Sequence, residues 1–200
     1  MFSLVLRLHA FFRYGIGEWR IKILKLLGLK AGKKVFALPG IRWPLGGLKD
    51  ITIGNNTTLG FNGWFAQMRE GAKITIGSGT NIGDQFMISA DSPVQIGDEC
   101  LLSYRVSVMA HRHIYGEGIN PVTSGYAKSA PIIVGNRCFI GCNAVILAGV
   151  TLGDHCTVGA NSVVTRSFPA GSVVGGAPAR LLNGKSDTLS DNQKLTGGNV

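Results

Sequence analysis

The feature that most constrains this chain is a six-residue repeat in its second half. From Val134 the sequence reads VGNRCF, IGCNAV, ILAGVT, LGDHCT, VGANSV and VTRSFP. Each hexad opens with Val, Ile or Leu, Gly often follows, and the fifth position is mostly small or β-branched. Six hexads in unbroken register are a strong signal of a repetitive fold.

Weaker copies of the repeat extend it toward the N-terminus. A period of six fits neither the 3.6-residue turn of a helix nor the two-residue alternation of a long strand. We therefore predict an all-β solenoid in which each hexad forms one flat side of a triangular coil of about 18 residues. The opening residues should point inward, and Gly or Asn at the corners should tolerate positive φ. The copies open at Ile53, Leu59, Ile76, Ile82, Ile88, Ile96, Leu102 and Val108.

The repeat is interrupted once in a way that predicts a loop. Val108 and Val134 are 26 positions apart, which is not a multiple of six. The intervening segment RHIYGEGINPVTSGYAKSAPI lacks the repeat and is rich in Gly, Pro, Ser and Tyr. We expect a loop at about 112–131, extruded from a coil just after His111. Loops on rigid scaffolds commonly hold functional groups.

The N-terminal segment concentrates the charge of the chain. Residues 1–34 carry +7 of the formal net charge of +9 and are also rich in large apolar residues. Apolar residues at helical spacing, such as Leu4, Leu8 and Phe11, predict a basic amphipathic α-helix. Either this helix binds a membrane surface, or it packs on the solenoid or between subunits. A nucleic-acid partner is not expected, because such proteins more often spread basic groups over the folded body.

The sequence divides into three predicted segments: the helical residues 1–34, the solenoid domain 35–182, and a polar tail, 183–200, expected to be mobile. Arg7 interrupts the opening apolar run, and no small-residue cleavage site follows it. No stretch reaches the ~18–20 apolar residues of a transmembrane helix. We expect a cytoplasmic location, with association at the inner face of the membrane if residues 1–34 bind lipid.

The four cysteines favour packing over metal binding. No CxxC pair exists, so a zinc ribbon is not expected, and no metal is predicted. Cys100, Cys138 and Cys156 occupy position five of their hexads, where a thiol packs as a small hydrophobe. Cys142 occupies position three and should face outward.

Three features together resemble the hexapeptide-repeat acetyltransferases, most closely the O-acetyltransferases of bacterial polysaccharides and sugars. They are the hexads, the His before the extruded loop, and the closing VVTRSFPAGSVVGGAPARLL. The resemblance covers roughly Ile51 to Leu182. It implies a left-handed parallel β-helix, a homotrimer, acetyl-CoA as co-substrate in the groove between adjacent β-helices, and a sugar or polysaccharide acceptor.

The resemblance also implies a catalytic histidine at the loop base. A sugar hydroxyl is barely ionised at neutral pH, so acyl transfer needs a base, and the pKa of His, about 6.5, suits that role. His111 is the first candidate, and His113 is the second or an acceptor contact. Relatives often carry an Asp before this His, whereas this chain has Ala110, so another group must orient the imidazole.

The same resemblance assigns binding residues. Backbone N–H groups at Gly141 and Cys142 should stabilise the tetrahedral intermediate. Arg166 and Arg180 suit the phosphates of the nucleotide. Phe139, Ala160 and Thr165 match positions along the coenzyme A site, and Gln85 and Asp91 match acceptor-binding positions.

Other functions fit parts of the sequence. An N-acyltransferase of an amino-sugar nucleotide would share the fold and the acyl donor. A γ-type carbonic anhydrase would share the fold but needs three zinc-binding His, and the four here match poorly. A non-enzymatic β-helix scaffold is disfavoured by the His at the loop base and by the ending around Arg180.

Overall fold

The computed structural model describes residues 17–44, 47–67, 69–127 and 129–182. The predictions for residues 1–16 and for the tail 183–200 lie outside these ranges. The described chain begins in an α-helix at residues 17–26, followed by short strands and a 3₁₀ turn (Leu48–Asp50). No described helix is long and apolar enough to cross a membrane.

The strands are two to four residues long, as expected for the sides of small coils. They are β1 (Lys30–Ala31), β2 (Phe36–Ala37), β3 (Ile51–Ile53), β4 (Thr58–Leu59), β5 (Trp64–Gln67), β6 (Ile74–Ile76), β7 (Asn81–Ile82), β8 (Met87–Ala90), β9 (Val94–Ile96), β10 (Leu101–Leu102), β11 (Ser107–Ala110), β12 (Arg112–His113), β13 (Tyr126–Ala127), β14 (Ile132–Val134), β15 (Phe139–Ile140), β16 (Val145–Leu147), β17 (Thr151–Leu152), β18 (Thr157–Val158), β19 (Val163–Val164), β20 (Val173–Gly175) and β21 (Arg180–Leu181).

These strands stack into three sheets that form the sides of a triangular solenoid. The first sheet has the order β1-β3-β6-β9-β14-β17, the second β2-β4-β7-β10-β15-β18-β20-β21, and the third β19-β16-β11-β8-β5. The pairings are parallel, except that the last strand, β21, runs antiparallel to β20. Successive strands along the chain visit the three sheets in turn, making about six coils. The predicted left-handed parallel β-helix is confirmed.

The aliphatic column inside the coils follows the repeat. The residues that open the six hexads from Val134 are 0–1% exposed, and so are those that open the earlier copies. At position five, Cys138, Ala144, Val150, Cys156 and Ser162 are also buried. Burying an aliphatic side chain of this size contributes about 1.5–3 kcal/mol. The repeat therefore encodes a continuous core in which each coil covers its neighbours.

The corners combine two different backbone requirements. The non-Gly residues at position four have a left-handed backbone with φ between 54° and 59°, which Asn tolerates as expected. The Gly at position two serves another purpose: a Cβ on Gly135 would lie 2.5 Å from Asp154 Oδ1 and 2.6 Å from Asp154 N. Close approach of the next coil, rather than positive φ, requires Gly there. The non-Gly residues at position four are Asn56, Asn62, Gln85, Glu99, Arg105, Arg137, Asn143, His155 and Asn161.

The N-terminal helix lies against the first coils. Ile21 is buried at 4% exposure, whereas Trp19, Ile23 and Leu26 on other sides are 67%, 50% and 88% exposed. The solenoid already begins at β1, before the predicted boundary at residue 35, because Lys30 and Ala31 pair with β3.

The predicted loop leaves the solenoid between β11 and β14. Its two arms begin as a short antiparallel ribbon, in which β12 pairs with β13. Positive φ values at Gly116, Gly118 and Gly125 allow the chain to reverse direction within the loop.

Candidate active site

His111 follows directly on strand β11, at the corner between the third and first sheets, here called the histidine corner. Ala110 is buried in the core at 0% exposure, so a carboxylate at that position would enter the apolar column. The orienting group is instead Ser89, whose Oγ lies 2.8 Å from Nδ1 of His111. Ser89 sits one coil below, on β8, and its side chain is covered. Ser89 was not among the predicted site residues. The register of β8 with β11 places it beside Met109, two residues before His111, and from there its hydroxyl reaches the imidazole.

The hydrogen bond to Ser89 bears on which imidazole nitrogen can act as a base. When Nδ1 carries the proton and donates it to Ser89 Oγ, Nε2 keeps its lone pair. Burial lowers the pKa of His111, and the charge of nearby His113 lowers it further, while the carboxylate of Asp91 opposes this shift. The net decrease favours the neutral imidazole at neutral pH, the form that can accept a proton.

His113 lies on the first arm of the loop and is exposed. Its ring is 4.6 Å from that of Tyr126 on the opposite arm, and 5.8 Å from that of His111. Tyr126 is also 5.8 Å from His111, with the rings nearly perpendicular. The ribbon therefore brings both candidate histidines together with Tyr126, an aromatic residue that was not among the predicted site residues.

A cleft of about 580 Å³ opens beside these histidines. Leu147, Ala148 and Thr165 come from the two coils above His111, so the predicted coenzyme A residue Thr165 shares this cleft with the predicted base. The apolar wall suits an aliphatic chain such as the pantetheine arm of coenzyme A. The lining residues are His111, Arg112, His113, Tyr115, Leu147, Ala148 and Thr165.

Asp91 occupies the histidine corner one coil below His111. Its side chain is 2% exposed and accepts a bond from Arg69, with 2.9 Å between Nε and Oδ1. The second carboxylate oxygen, Oδ2, is buried without a hydrogen-bond partner among the described residues. A buried acceptor of this kind is costly unless a donor reaches it. This predicted acceptor-binding residue thus lies beneath the histidine, covered by an arginine.

A second group of predicted residues lies away from the histidine corner. Gly141, Cys142 and Ala160 stack at the corner between the second and third sheets, here called the amide corner, where a Cβ on Gly141 would meet the Ala160 nitrogen at 2.5 Å. Cys142 is half-buried, and its hydrogen bond with the Ser103 hydroxyl, 2.9 Å away, lowers the pKa of its thiol. Phe139 precedes this corner on the outer face of the second sheet and is 41% exposed.

The two predicted arginines are exposed and lie in different parts of the solenoid. Arg166 follows Thr165 at the histidine corner, with its guanidinium 5.2 Å from the centre of the Phe168 ring. Arg180 is on the terminal strand β21, where its Nη1 donates to the Ala179 carbonyl at 3.0 Å. Gln85 is at the amide corner and lines a different cleft from His111. A single chain therefore divides the predicted site between two corners.

Comparisons with known proteins agree with this architecture. A family model for the hexapeptide repeat of succinyl-transferase matches residues 131–166. Nodulation protein L of Rhizobium meliloti is 34% identical over 174 residues, covering 86% of this chain and 73% of that protein. The chain belongs to the hexapeptide-repeat acetyltransferases. It also matches the galactoside O-acetyltransferase of Escherichia coli at 32% identity over 133 residues, and this match spans 64% of that relative's length.

Solved structures of other acyltransferases share the fold of this acetyltransferase. The N-acyltransferase AntD of Bacillus cereus, in complex with dTDP and 3-hydroxybutyryl-CoA, superposes with a TM-score of 0.70 at 21% identity, covering 87% of this chain and 93% of that one. A hexapeptide-repeat acetyltransferase of Vibrio cholerae complexed with acetyl-CoA gives a TM-score of 0.58 at 30% identity, covering 67% and 70%. The predicted co-substrate, acetyl-CoA, is thus one that a related structure binds. Within the described residues of this acetyltransferase, no cluster of three or more His, Cys, Asp or Glu could hold a metal ion.

Proposed function

We propose that this chain is an O-acetyltransferase that moves the acetyl group of acetyl-CoA to a sugar hydroxyl of a bacterial surface glycan or its precursor. The observation that carries this proposal is His111, held through Nδ1 by Ser89 at the rim of a cleft with an apolar wall. The galactoside O-acetyltransferase among the relatives supports a sugar acceptor.

In this mechanism His111 is the general base. Its Nε2 accepts the proton of the acceptor hydroxyl as the hydroxyl oxygen attacks the acetyl carbonyl, and the imidazolium then protonates the leaving thiolate. The transfer is direct, without an acyl-enzyme, since three of the four cysteines are buried inside the coils. His113, on the loop arm, is the second candidate for this role or contacts the acceptor.

The division of the site between two corners favours a trimer. Of the two predicted oxyanion donors, Gly141 is engaged within the solenoid, because its N–H donates to the Val158 carbonyl at 2.8 Å. The backbone N–H of Cys142 is then the candidate donor for a developing oxyanion, but it lies at the amide corner of the same chain, away from His111. A second copy of the chain, related by threefold symmetry, would supply this N–H group to the histidine corner of the first. Phe139, Ala160, Thr165, Arg166 and Arg180 would then line the groove that holds acetyl-CoA.

We also propose that the N-terminal helix attaches the trimer to the cytoplasmic face of an anionic membrane. Trp19, Ile23 and Leu26 expose an apolar stripe to solvent. A groove on the neighbouring side contains Lys22, Lys25, Lys33 and Lys34, with Glu18 as its acid. Helices bind anionic lipid surfaces by burying apolar side chains in the interface while flanking lysines attract the negatively charged lipids.

The activity is tested by incubating purified protein with acetyl-CoA and a panel of glycans, followed by intact-mass analysis. The expected product carries an acetyl ester, which mild alkali removes. An acetyl group that survives alkali would instead indicate the alternative N-acyltransferase, and no transfer to any acceptor while acetyl-CoA still binds would contradict the sugar assignment.

Membrane attachment is tested by sedimentation with vesicles that contain phosphatidylserine. The intact chain should co-sediment at low salt and dissociate as salt screens the lysines. A Trp19→Glu, Lys22→Gln, Lys25→Gln variant should lose this binding, whereas Lys73→Gln, at an exposed lysine outside the segment, should retain it. Equal binding by both variants would contradict the attachment.

A further inference from the structure

A second cleft, of about 540 Å³, follows the amide corner across several coils. The register of the solenoid builds it as two parallel columns. Pairing places Arg42, Trp64, Met87 and Ser107 in one column at the start of the third sheet. The second column consists of position-four residues from successive coils. We call this cleft the amide-corner cleft. It is lined by Arg42, Asn62, Trp64, Gln85, Phe86, Met87, Arg105, Ser107 and Asn143.

The amide-corner cleft carries positive charge that no described carboxylate neutralises. Its lining has two arginines and no acidic residue. The guanidinium of Arg42 lies over the ring of Trp64, 4.5 Å from its centre, and that of Arg105 lies 6.0 Å from the ring of Tyr104. A ring face holds a guanidinium by its quadrupole and leaves the N–H donors free. Neither arginine makes an ion pair within the described ranges.

Neutral polar groups complete the cleft. Asn62, Gln85 and Asn143 are exposed at position four of hexads in different coils, and they share with Arg105 a left-handed φ of 55–58°. An amide offers a donor and an acceptor at one site, the pattern that vicinal hydroxyl groups of a sugar require. Asn143 Nδ2 already donates to Asn161 Oδ1 at 3.1 Å, so its second N–H and its oxygen are the groups that it offers. Trp64, which is 39% exposed, adds an aromatic ring beside them. An arginine guanidinium beside these groups can bind a carboxylate through two parallel hydrogen bonds.

The amide-corner cleft and the histidine corner lie at opposite ends of the same strands. Met87 lines the cleft at the start of β8, and Asp91 follows the end of that strand, directly beneath His111. Four residues of strand span about 13 Å. A short oligosaccharide lying along the third sheet could therefore contact the cleft while presenting a hydroxyl to the histidine corner.

We propose that the amide-corner cleft binds a carboxylate-bearing sugar of the acceptor, so that the preferred substrate is an acidic glycan. Arg42 and Arg105 would hold the carboxylate, the amides would hold hydroxyl groups, and Trp64 would position Arg42 and contact the ring of the sugar. This inference rests on the proposed function, because it assigns a substrate class to the same acetyl transfer.

The test measures binding rather than turnover, so it can fail independently of the proposed activity. Tri-galacturonate and galactotriose, its counterpart without carboxylates, are titrated calorimetrically into the intact protein saturated with coenzyme A. The wild type should bind tri-galacturonate at least about tenfold more tightly than galactotriose. The Arg42→Gln, Arg105→Gln variant should lose this preference while binding galactotriose unchanged. Gln85 shows that Gln tolerates the position-four backbone of Arg105, and Arg42 has no such left-handed φ.

Arg137→Gln is the matched control. Arg137 occupies position four of its hexad with φ 55°, but it pairs with Glu99 outside the cleft, so this variant should keep the preference for the acidic sugar. The inference is overturned if the wild type does not prefer tri-galacturonate, or if Arg137→Gln loses the preference equally. It is also overturned if the double variant raises the Kd of coenzyme A, which would assign the arginines to the nucleotide, or dissociates the oligomer, which would make them interface residues.

Discussion

The uninterrupted coils from Val134 to Val164 and the base of the loop at His111 are built on the same repeat but differ in what they hold. In the coils, each opening residue meets copies of itself above and below and is sealed from water. At the loop base the chain leaves the solenoid, and His111 is half-buried, bonded to Ser89 from the coil below. Regular stacking supplies rigidity, and its interruption leaves a polar group partly open to a cleft. The difference suggests four measurements.

The largest expected effect is the loss of the proposed base. His111→Ala should lower kcat by about 10²–10⁴-fold while acetyl-CoA still binds, because removal of a general base affects the chemical step. His113→Ala should raise the acceptor KM more than it lowers kcat. Steady-state kinetics with both substrates varied would measure this.

His155→Asn is the control for the first measurement, because His155 is exposed at a regular corner where Asn is common and should leave kcat unchanged. Near-normal turnover by His111→Ala together with an inactive His113→Ala would move the base to His113. Activity in both variants would refute the mechanism.

The second measurement concerns the coils. Ile140→Ala removes a side chain that is 0% exposed, and it should reduce the free energy of unfolding by about 2–5 kcal/mol. Val122→Ala in the loop, where Val122 is 89% exposed, should change it by less than about 0.5 kcal/mol. Guanidinium denaturation at one fixed protein concentration gives both values. Comparable losses at the two positions would mean that the loop contributes to the core.

A smaller effect is expected from the residue that orients His111. Ser89→Ala removes one hydrogen bond, worth about 0.5–1.5 kcal/mol, and should lower kcat by roughly two- to tenfold with the KM of acetyl-CoA unchanged. Ser89→Thr keeps a hydroxyl at the same position and should restore most of the rate. If Ser89→Ala lowers the unfolding free energy but leaves kcat intact, Ser89 serves stability only.

The smallest effect is a shift in the pH dependence. Burial and His113 lower the pKa of His111. The acid limb of the pH profile of kcat/KM should therefore have an apparent pKa below about 6.5, the usual value for histidine. As pH falls through this lowered pKa, His111 gains a proton and activity is lost. Asp91 favours the protonated form, so Asp91→Asn should move the limb to still lower pH. A limb above about 6.5, the ordinary histidine value, or a shift upward in Asp91→Asn, would contradict this assignment.

Much of the fold could be predicted from single positions in the hexads. Ile140, Cys138 and Cys156 are buried where the repeat expected them, because burial depends only on the position within a coil. The loop base at His111 was also predictable, because an insertion breaks the register of a strict repeat. The role of Gly at position two was harder to predict from the sequence. Gly135 is required because Asp154, which belongs to the next coil, approaches it closely.

The sequence by itself determined that this chain coils, which residues face inward, where the loop leaves the solenoid, and that two histidines stand at its base. Only the tertiary structure decided that Ser89 orients His111, that Arg69 covers Asp91, and that the predicted binding residues divide between two corners. The physical reason is that the repeat specifies contacts by position within one coil. The site depends on which residues of different coils come to lie in the same column, and the loop alters the sequence spacing between those coils.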